Sequence, residues 1–447
     1  MKFRPASILL LMIILSVSFT TIAYQATPVR AWWATGHTII ATHAVEFLPK
    51  PWSSFFNYYG LTVNESALYP DGVYAAMDPN EGPRHFIDLE VWNPSKPETG
   101  TLPFAVAQYT AEMTQAIKFG DWNLMLKDAG RLAHYVGDIH QPYHSTVNYD
   151  PRNKQGSGLH GVLDASLETH VNEFKLLSPS DVGQLQPVAN VTAFMFYIAW
   201  QSHSFLPTIN HTLIDEGKSW SPELTRIIEN RTNTAIVSVA RIWYTAIVNA
   251  GQQPPSIPSP NKLRITIASP PQQASPDKAL TVSFMVSDSL GIRTILNPKA
   301  SIANVPQQVY NDQGLETPFG KYIVIAQPDT LRSFAGSSLT LDIVADQAGF
   351  ERATAQVQVQ VSPAQTTTTA AASAFLPVEI VNIVLLIVAI AILGVVVRFA
   401  LRRFTKARQG CGFLPVSAHR LLHSQPVRLL FDAVSGLCRG FCFLIDI

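Results

Sequence analysis

RLAHYVGDIHQPYHSTVNYDPRNKQGSGLHGVLD, residues 131–164, is the stretch around which the rest of the chain is organised. It carries Asp138, Asp164 and four of the chain's twelve histidines: His134, His140, His144 and His160. His134 and Asp138 stand four apart, so on a helix both side chains leave the same face, one turn apart. Pro142 cannot donate a backbone hydrogen bond and biases Gln141 away from helical angles. The spacing therefore predicts a helix that stops near residue 141 and a turn that delivers His144. Gly156 and Gly158 loosen the next loop, and His160 and Asp164 repeat the four-residue spacing on a second helix. One His-x3-Asp pair is usually an ordinary surface ion pair. Two of them with a histidine between read as metal ligands, and imidazole with carboxylate suits zinc, whose open sites can activate water.

Upstream, Lys2 and Arg4 precede an apolar run over residues 8–24. A basic start followed by such a run predicts a signal peptide over residues 1–31, with cleavage after Ala31 exposing Trp32. The next stretch, WWATGHTIIATHAVEFLP (32–49), has helical apolar spacing, is opened by His37 and is closed by Pro49. His43 falls on a different face from His37. Farther on, LYPDGVYAAMDPNEGPRHFIDLEVW (68–92) supplies Asp71 and His85 in a loop rich in Pro and Gly. Loops of that kind gather binding residues, although PDG alone is a turn signal.

In this order the motifs resemble a known superfamily. It unites the bacterial zinc-dependent phospholipases C, the alpha-toxin catalytic domain among them, with the fungal and plant zinc nucleases that prefer single strands. The resemblance spans about residues 32–250 and rests on WWATGH, Pro70-Asp71, HFID at 85–88, HYVGDIHQPYH at 134–144 and the H-x3-D of 160–164. It implies an all-α domain that holds three zinc ions in a cleft. Asp71, His85, His134 and Asp138 would hold the first. Asp138 would bridge to the second, which His37 and the free amino group and carbonyl of Trp32 would complete. His144, His160 and Asp164 would hold the third, which can stabilise a leaving alkoxide. In two-metal enzymes a pair roughly 3.5–4 Å apart lowers the pKa of water and neutralises phosphate oxygens. Asp71 would accept the proton of the attacking water.

The resemblance also casts Phe86 and Asp88 as substrate contacts. HFID is similar to the nuclease motif in which Phe stacks on a base and Asp hydrogen-bonds its edge. On the phospholipase side an aromatic at this point is a wall of the cleft. The nuclease pattern expects Arg three residues after the first Asp, where this chain has Tyr74. The nuclease branch is usually braced by disulfides, whereas Cys411, Cys438 and Cys442 all lie near the C-terminus. The leading expectation is a phospholipase C-like phosphodiester hydrolase. A single-strand-specific nuclease or nucleotidase is the second reading, and a non-catalytic, zinc-stabilised surface adhesin the third.

Helical spacing recurs over residues 104–119, 121–141, 158–176, 187–204 and 221–249, the last with Ser221 as N-cap and Pro222 in its first turn. His170, His203 and His211 fit no ligand spacing. GQQPPSIPSPNK, residues 251–262, reads as a Pro-rich linker. Beyond it the period changes to two, predicting an all-β, immunoglobulin-like sandwich over residues 263–362. A Thr/Ala-rich stalk (363–374) leads to an apolar run at 375–397, long enough for a transmembrane helix, and to a basic, cytoplasmic tail at 398–447. These segments predict a single-pass cell-membrane protein whose catalytic domain faces outward and whose cysteines form no extracellular disulfide. Thirty-two basic residues balance thirty-two acidic ones, so no basic excess marks nucleic acid as a tightly held partner. The expected partners are a phospholipid or nucleic-acid phosphodiester and the membrane; no protein partner is evident.

Overall fold

Helices account for the first two-thirds of the described chain and strands for the rest. The computed structural model describes residues 34–364, apart from 154–155, 218–219, 268, 294–296 and 313–319. Trp32, the signal peptide, most of the stalk, the spanning segment 375–397 and the tail lie outside the described residues. Among the described residues no helix is long and apolar enough to cross a membrane.

The helical part contains α1 (Ala34–Ala44), α2 (Trp52–Tyr58), α3 (Gly60–Ser66), α4 (Leu102–Phe119), α5 (Trp122–His140), α6 (Leu159–His170), α7 (Val191–His203) and α8 (Pro222–Ala250). Short turns join them. The Asp121 side chain caps α5 by accepting from the Leu124 amide at 3.0 Å. At the other end Gln141 turns extended, φ −79° and ψ 118°, as Pro142 requires. Ser221 caps α8 through the Leu224 amide, and Gly251 ends it in the left-handed region at φ +68°.

Every residue of α5 from Met125 to His140 is buried, because α1, α3, α4, α7 and α8 all pack on it. Two glycines seven apart on α5 permit the closest of these contacts. A Cβ at Gly130 would lie 2.4 Å from Ser66 Cβ and 2.7 Å from the Val63 carbonyl oxygen of α3. One at Gly137 would lie 3.1 Å from Nδ1 of His37 on α1. The G of HYVGDIH is therefore the space in which the His37 ring sits. The C-terminal carbonyls of α5 are also held: Arg231 of α8 donates Nε to the His140 carbonyl at 3.3 Å, and Ser202 of α7 donates to the Ile139 carbonyl at 2.6 Å. A cation at that end suits the helix dipole.

The strands are β1 (Arg264–Ile267), β2 (Gln273–Ala274), β3 (Leu280–Ser287), β4 (Lys299–Ile302), β5 (Val305–Asn311), β6 (Lys321–Ala326), β7 (Ser338–Ala345) and β8 (Ala353–Val361). They form one sheet in the order β1-β3-β6-β5-β4-β7-β8-β2. The expected sandwich is thus a single curled sheet in its hydrogen bonding. β5 makes the bend: its residues 305–307 pair with β4 and its residues 308–311 pair with β6. The period-two reading holds, since Val282, Phe284 and Val286 of β3 and Leu339, Leu341 and Ile343 of β7 point into one apolar core.

The sheet is bonded to the helical part. Tyr59 donates to Asp288 at 2.5 Å, and Asn261 donates to the same carboxylate oxygen at 2.8 Å. Tyr58 donates to the Gly349 carbonyl, and Asn123 accepts from the Arg293 amide. Asn261, next to last in the Pro-rich segment, is itself buried, so that segment is pinned at its far end rather than hanging free.

Candidate metal centre

Four separate segments deliver the first group of ligand-type side chains: α1 brings His37, the turn Pro70–Tyr74 brings Asp71, the turn Gly82–His85 brings His85, and α5 brings His134 and Asp138. Asp138 stands at the centre. Its Oδ2 lies 2.9 Å from His85 Nδ1 and 3.3 Å from His134 Nε2, while its Oδ1 lies 3.4 Å from His37 Nε2. The two oxygens of one carboxylate thus face two different sets of nitrogens. Asp71 Oδ1 lies 3.6 Å from His85 Nδ1 and 3.7 Å from His134 Nε2. The rings of His37 and His134 stack with centroids 3.9 Å apart. Ligand atoms converge within 4.8 Å in two sets, His37-Asp71-His134 and His85-His134-Asp138.

The second group comes from the turn Pro142–Ser145 and from α6. His144 Nε2 and His160 Nε2 approach to 2.7 Å, and His160 Nδ1 lies 3.2 Å from Asp164 Oδ2. These three residues form a row rather than a ring, because His160 uses a different nitrogen toward each neighbour.

The first group suits a cation. Asp71 Oδ1 and Asp138 Oδ1 are buried with no hydrogen-bond donor, an arrangement that is costly for an anionic oxygen unless a cation comes to it. The electrostatics agree. Burial works to lower His85, but the Asp138 and Glu81 carboxylates push it up to about 10. His134 is likewise raised against its burial by Asp138 and Asp71. Burial would raise Asp138, yet the His134 charge and hydrogen bonds from His134 and His85 hold it well below its ordinary value. Protons are drawn to His85 and His134, where a metal ion would otherwise supply the positive charge. The nitrogen and oxygen donor set fits zinc.

Residues 32–192 match the model of the S1/P1 Nuclease family. No curated protein matches the chain. Among solved structures the chain is similar to the alpha-toxin of Clostridium perfringens isolated from avian strain SWCP, with 10% identity, a TM-score of 0.36, and coverage of 75% of this chain and 99% of that one. It is also similar to the alpha-toxin of Clostridium absonum, with 12% identity, a TM-score of 0.38, and coverage of 73% and 96%.

The two groups of side chains depend on outer partners that the motifs did not reveal. His134 Nδ1 lies 2.7 Å from the Ala67 carbonyl, and His144 Nδ1 lies 2.5 Å from the His85 carbonyl. Each carbonyl can only accept, so each ring carries its proton on Nδ1 and turns its Nε2 lone pair inward. Gln141 donates to Asp164 Oδ1 at 3.1 Å and accepts from the Tyr143 amide, while Asp164 Oδ2 faces His160. Glu81, which the sequence reading passed over, is buried beside His85.

Phe86 and Asp88 follow His85 and are half-buried. Burial and the neighbouring Glu90 charge push the Asp88 carboxyl up to about 6. His140 takes no part: its Nδ1 faces the Val136 carbonyl and its Nε2 Ser238, and burial followed by the Arg231 charge holds it well below the usual histidine range. His43 and His170 pair with Glu46 and Glu173 on the surface, and His203 pairs with Glu90. Tyr74, standing where a nuclease Arg is expected, is buried with the Arg131 guanidinium 4.1 Å above its ring.

Proposed function

We propose that the protein is a zinc-dependent phosphodiester hydrolase of phospholipase C type. The observation that carries this reading is the approach of both Asp71 and Asp138 to His85 and His134, each carboxylate keeping one buried oxygen without a donor. Asp71, His85, His134 and Asp138 would hold one zinc; Asp138, His37 and the terminus at Trp32 a second; His144, His160 and Asp164 a third. Bound zinc supplies a Lewis acid that acidifies water and neutralises phosphate oxygens. Asp71 would take the proton of the attacking water, since burial raises its carboxyl above the ordinary range. His37, His85 and His134 are held by packing and outer acceptors, so the groups that face the phosphate do not need to reorganise.

The surroundings support lipid. Val91, Phe104, Val147, Tyr149, Tyr197 and Trp200 remain exposed, from 44% to 58%, on segments that continue from His85 and His144 and on adjacent helices. Glu90 ties these segments together, bonding Thr146, the Val147 amide and His203. Exposed apolar and aromatic side chains on these segments suit an aggregated lipid better than a polyanion. The second reading is a single-strand nuclease, favoured by the family match and by half-buried Phe86 and Asp88 beside His85. Residues 1–31, 375–397 and 398–447 support an exported, membrane-anchored placement. The strand order supports an immunoglobulin-like sheet domain: with β2 set aside, β1-β3-β6-β5 and β4-β7-β8 follow the order of the two immunoglobulin sheets.

The test is hydrolysis of phospholipid vesicles and of single-stranded DNA side by side, by protein beginning at Trp32, with and without chelator. Chelator-sensitive release of phosphorylated head group is the expected result. Cleavage of DNA alone would transfer the assignment to the nuclease reading, and hydrolysis of neither by zinc-loaded protein would leave the adhesin.

A further inference from the structure

His85 is held differently from its two neighbours. His134 and His144 turn Nε2 inward and give Nδ1 to a backbone carbonyl, whereas His85 turns Nδ1 inward, 3.1 Å from His134 Nε2 and 2.9 Å from Asp138 Oδ2. Its Nε2 faces Glu81 Oε1 at 3.5 Å. Glu81 is 1% exposed, and it is fixed from two further sides. Arg84 donates to its Oε2 at 2.7 Å while also bonding Asp78 at 2.6 Å, and Tyr135, on α5 next to His134, donates its hydroxyl to Oε1. The Tyr135 ring lies edge-on to both His85 and His134, with centroids 5.4 Å away in each case, and stacks on Tyr109 behind it.

We propose that Glu81 is a positioning residue of the first zinc site, holding the proton of His85 on Nε2 so that the Nδ1 lone pair points into the cluster. This inference rests on the zinc reading above. A neutral imidazole has one N–H, and a carboxylate opposite Nε2 can only accept it, which selects the tautomer with Nδ1 free. A full negative charge in that place also makes the ring a stronger donor than a backbone carbonyl would, as outer carboxylates do at metal-bound histidines. Arg84 and Tyr135 occupy the other Glu81 acceptor positions, so the carboxylate cannot rotate away from His85. The motif extends to E-x2-R-H, residues 81–85, with Tyr135 supplied by α5.

The experiment measures zinc affinity by chelator competition in the full chain, and the visible spectrum of the cobalt-substituted protein, for wild type, Glu81→Gln and Glu81→Ala. Loss of an outer-shell partner typically weakens metal binding about 10- to 100-fold. Glu81→Gln, which keeps the shape and removes the charge, should fall near the lower figure for one zinc only. Glu81→Ala should fall near the upper, and both should shift the cobalt bands. If Glu81→Ala does not fold, Glu81→Gln carries the test alone. Unchanged affinity and an unchanged cobalt spectrum in Glu81→Gln would overturn the inference while leaving the zinc reading intact. A wild-type chain that binds no zinc would overturn both.

Discussion

The two ligand groups share chemistry but not construction. His144, His160 and Asp164 come from one run of 21 residues and lie in a row. His37, Asp71, His85, His134 and Asp138 come from four segments separated by up to 101 residues and close around one carboxylate. A contiguous motif can place ligands cheaply, but only along the path of the chain. A site that surrounds a point needs packed elements from several directions, and here α5 provides the floor because Gly130 and Gly137 let α3 and α1 come close. The first group should accordingly be the more cooperative of the two, and losses there should spread.

The sharpest way to break this contrast is Asp138→Asn. It should remove more than one zinc equivalent and lower activity by more than about 100-fold, the upper range for an outer-shell change; loss of a single equivalent in metal analysis would show that Asp138 does not bridge. In the second group, Gln141→Ala frees Asp164 Oδ1 and should weaken one zinc by about 10-fold without touching the others. Equal weakening of all the ions in chelator competition would mean the groups are coupled. Asp88→Asn addresses the space beside the first group. The Asp88 carboxyl, raised to about 6, takes up a proton as pH falls through that value. Activity that depends on its charge should decline severalfold along an acid limb near pH 6, and the Asn variant should lack that limb in the kcat/KM profile. The smallest effect belongs to a residue outside both groups. Tyr59→Phe removes a donor to Asp288 and should cost about 1 kcal/mol in unfolding free energy, with the zinc count unchanged; a lost zinc would show that the sheet contact reaches the centre.

The local geometry of the contiguous group was legible because the i, i+4 spacing and the Pro142 stop are local rules, and α5 ends at His140 as they require. The five long helices and the change to period two were legible for the same reason. Asp71 was not: PDG reads as a turn, and the widened turn Pro70–Tyr74 that aims its carboxylate at His85 and His134 depends on their packing. Glu81 was missed because Tyr135, which fixes it, is 54 residues away. The bend within β5 has no period of its own, so alternation could announce strands without revealing one curled sheet. Tyr74 marks a departure from the nuclease pattern in the sequence, but its place beneath Arg131 is a product of the fold.

The most direct test is a metal analysis of protein beginning at Trp32, purified without chelator. The account predicts more than one tightly held zinc per chain, and loss of hydrolytic activity when that zinc is stripped. A chain that carries no zinc and hydrolyses phosphodiesters equally well in chelator would contradict it.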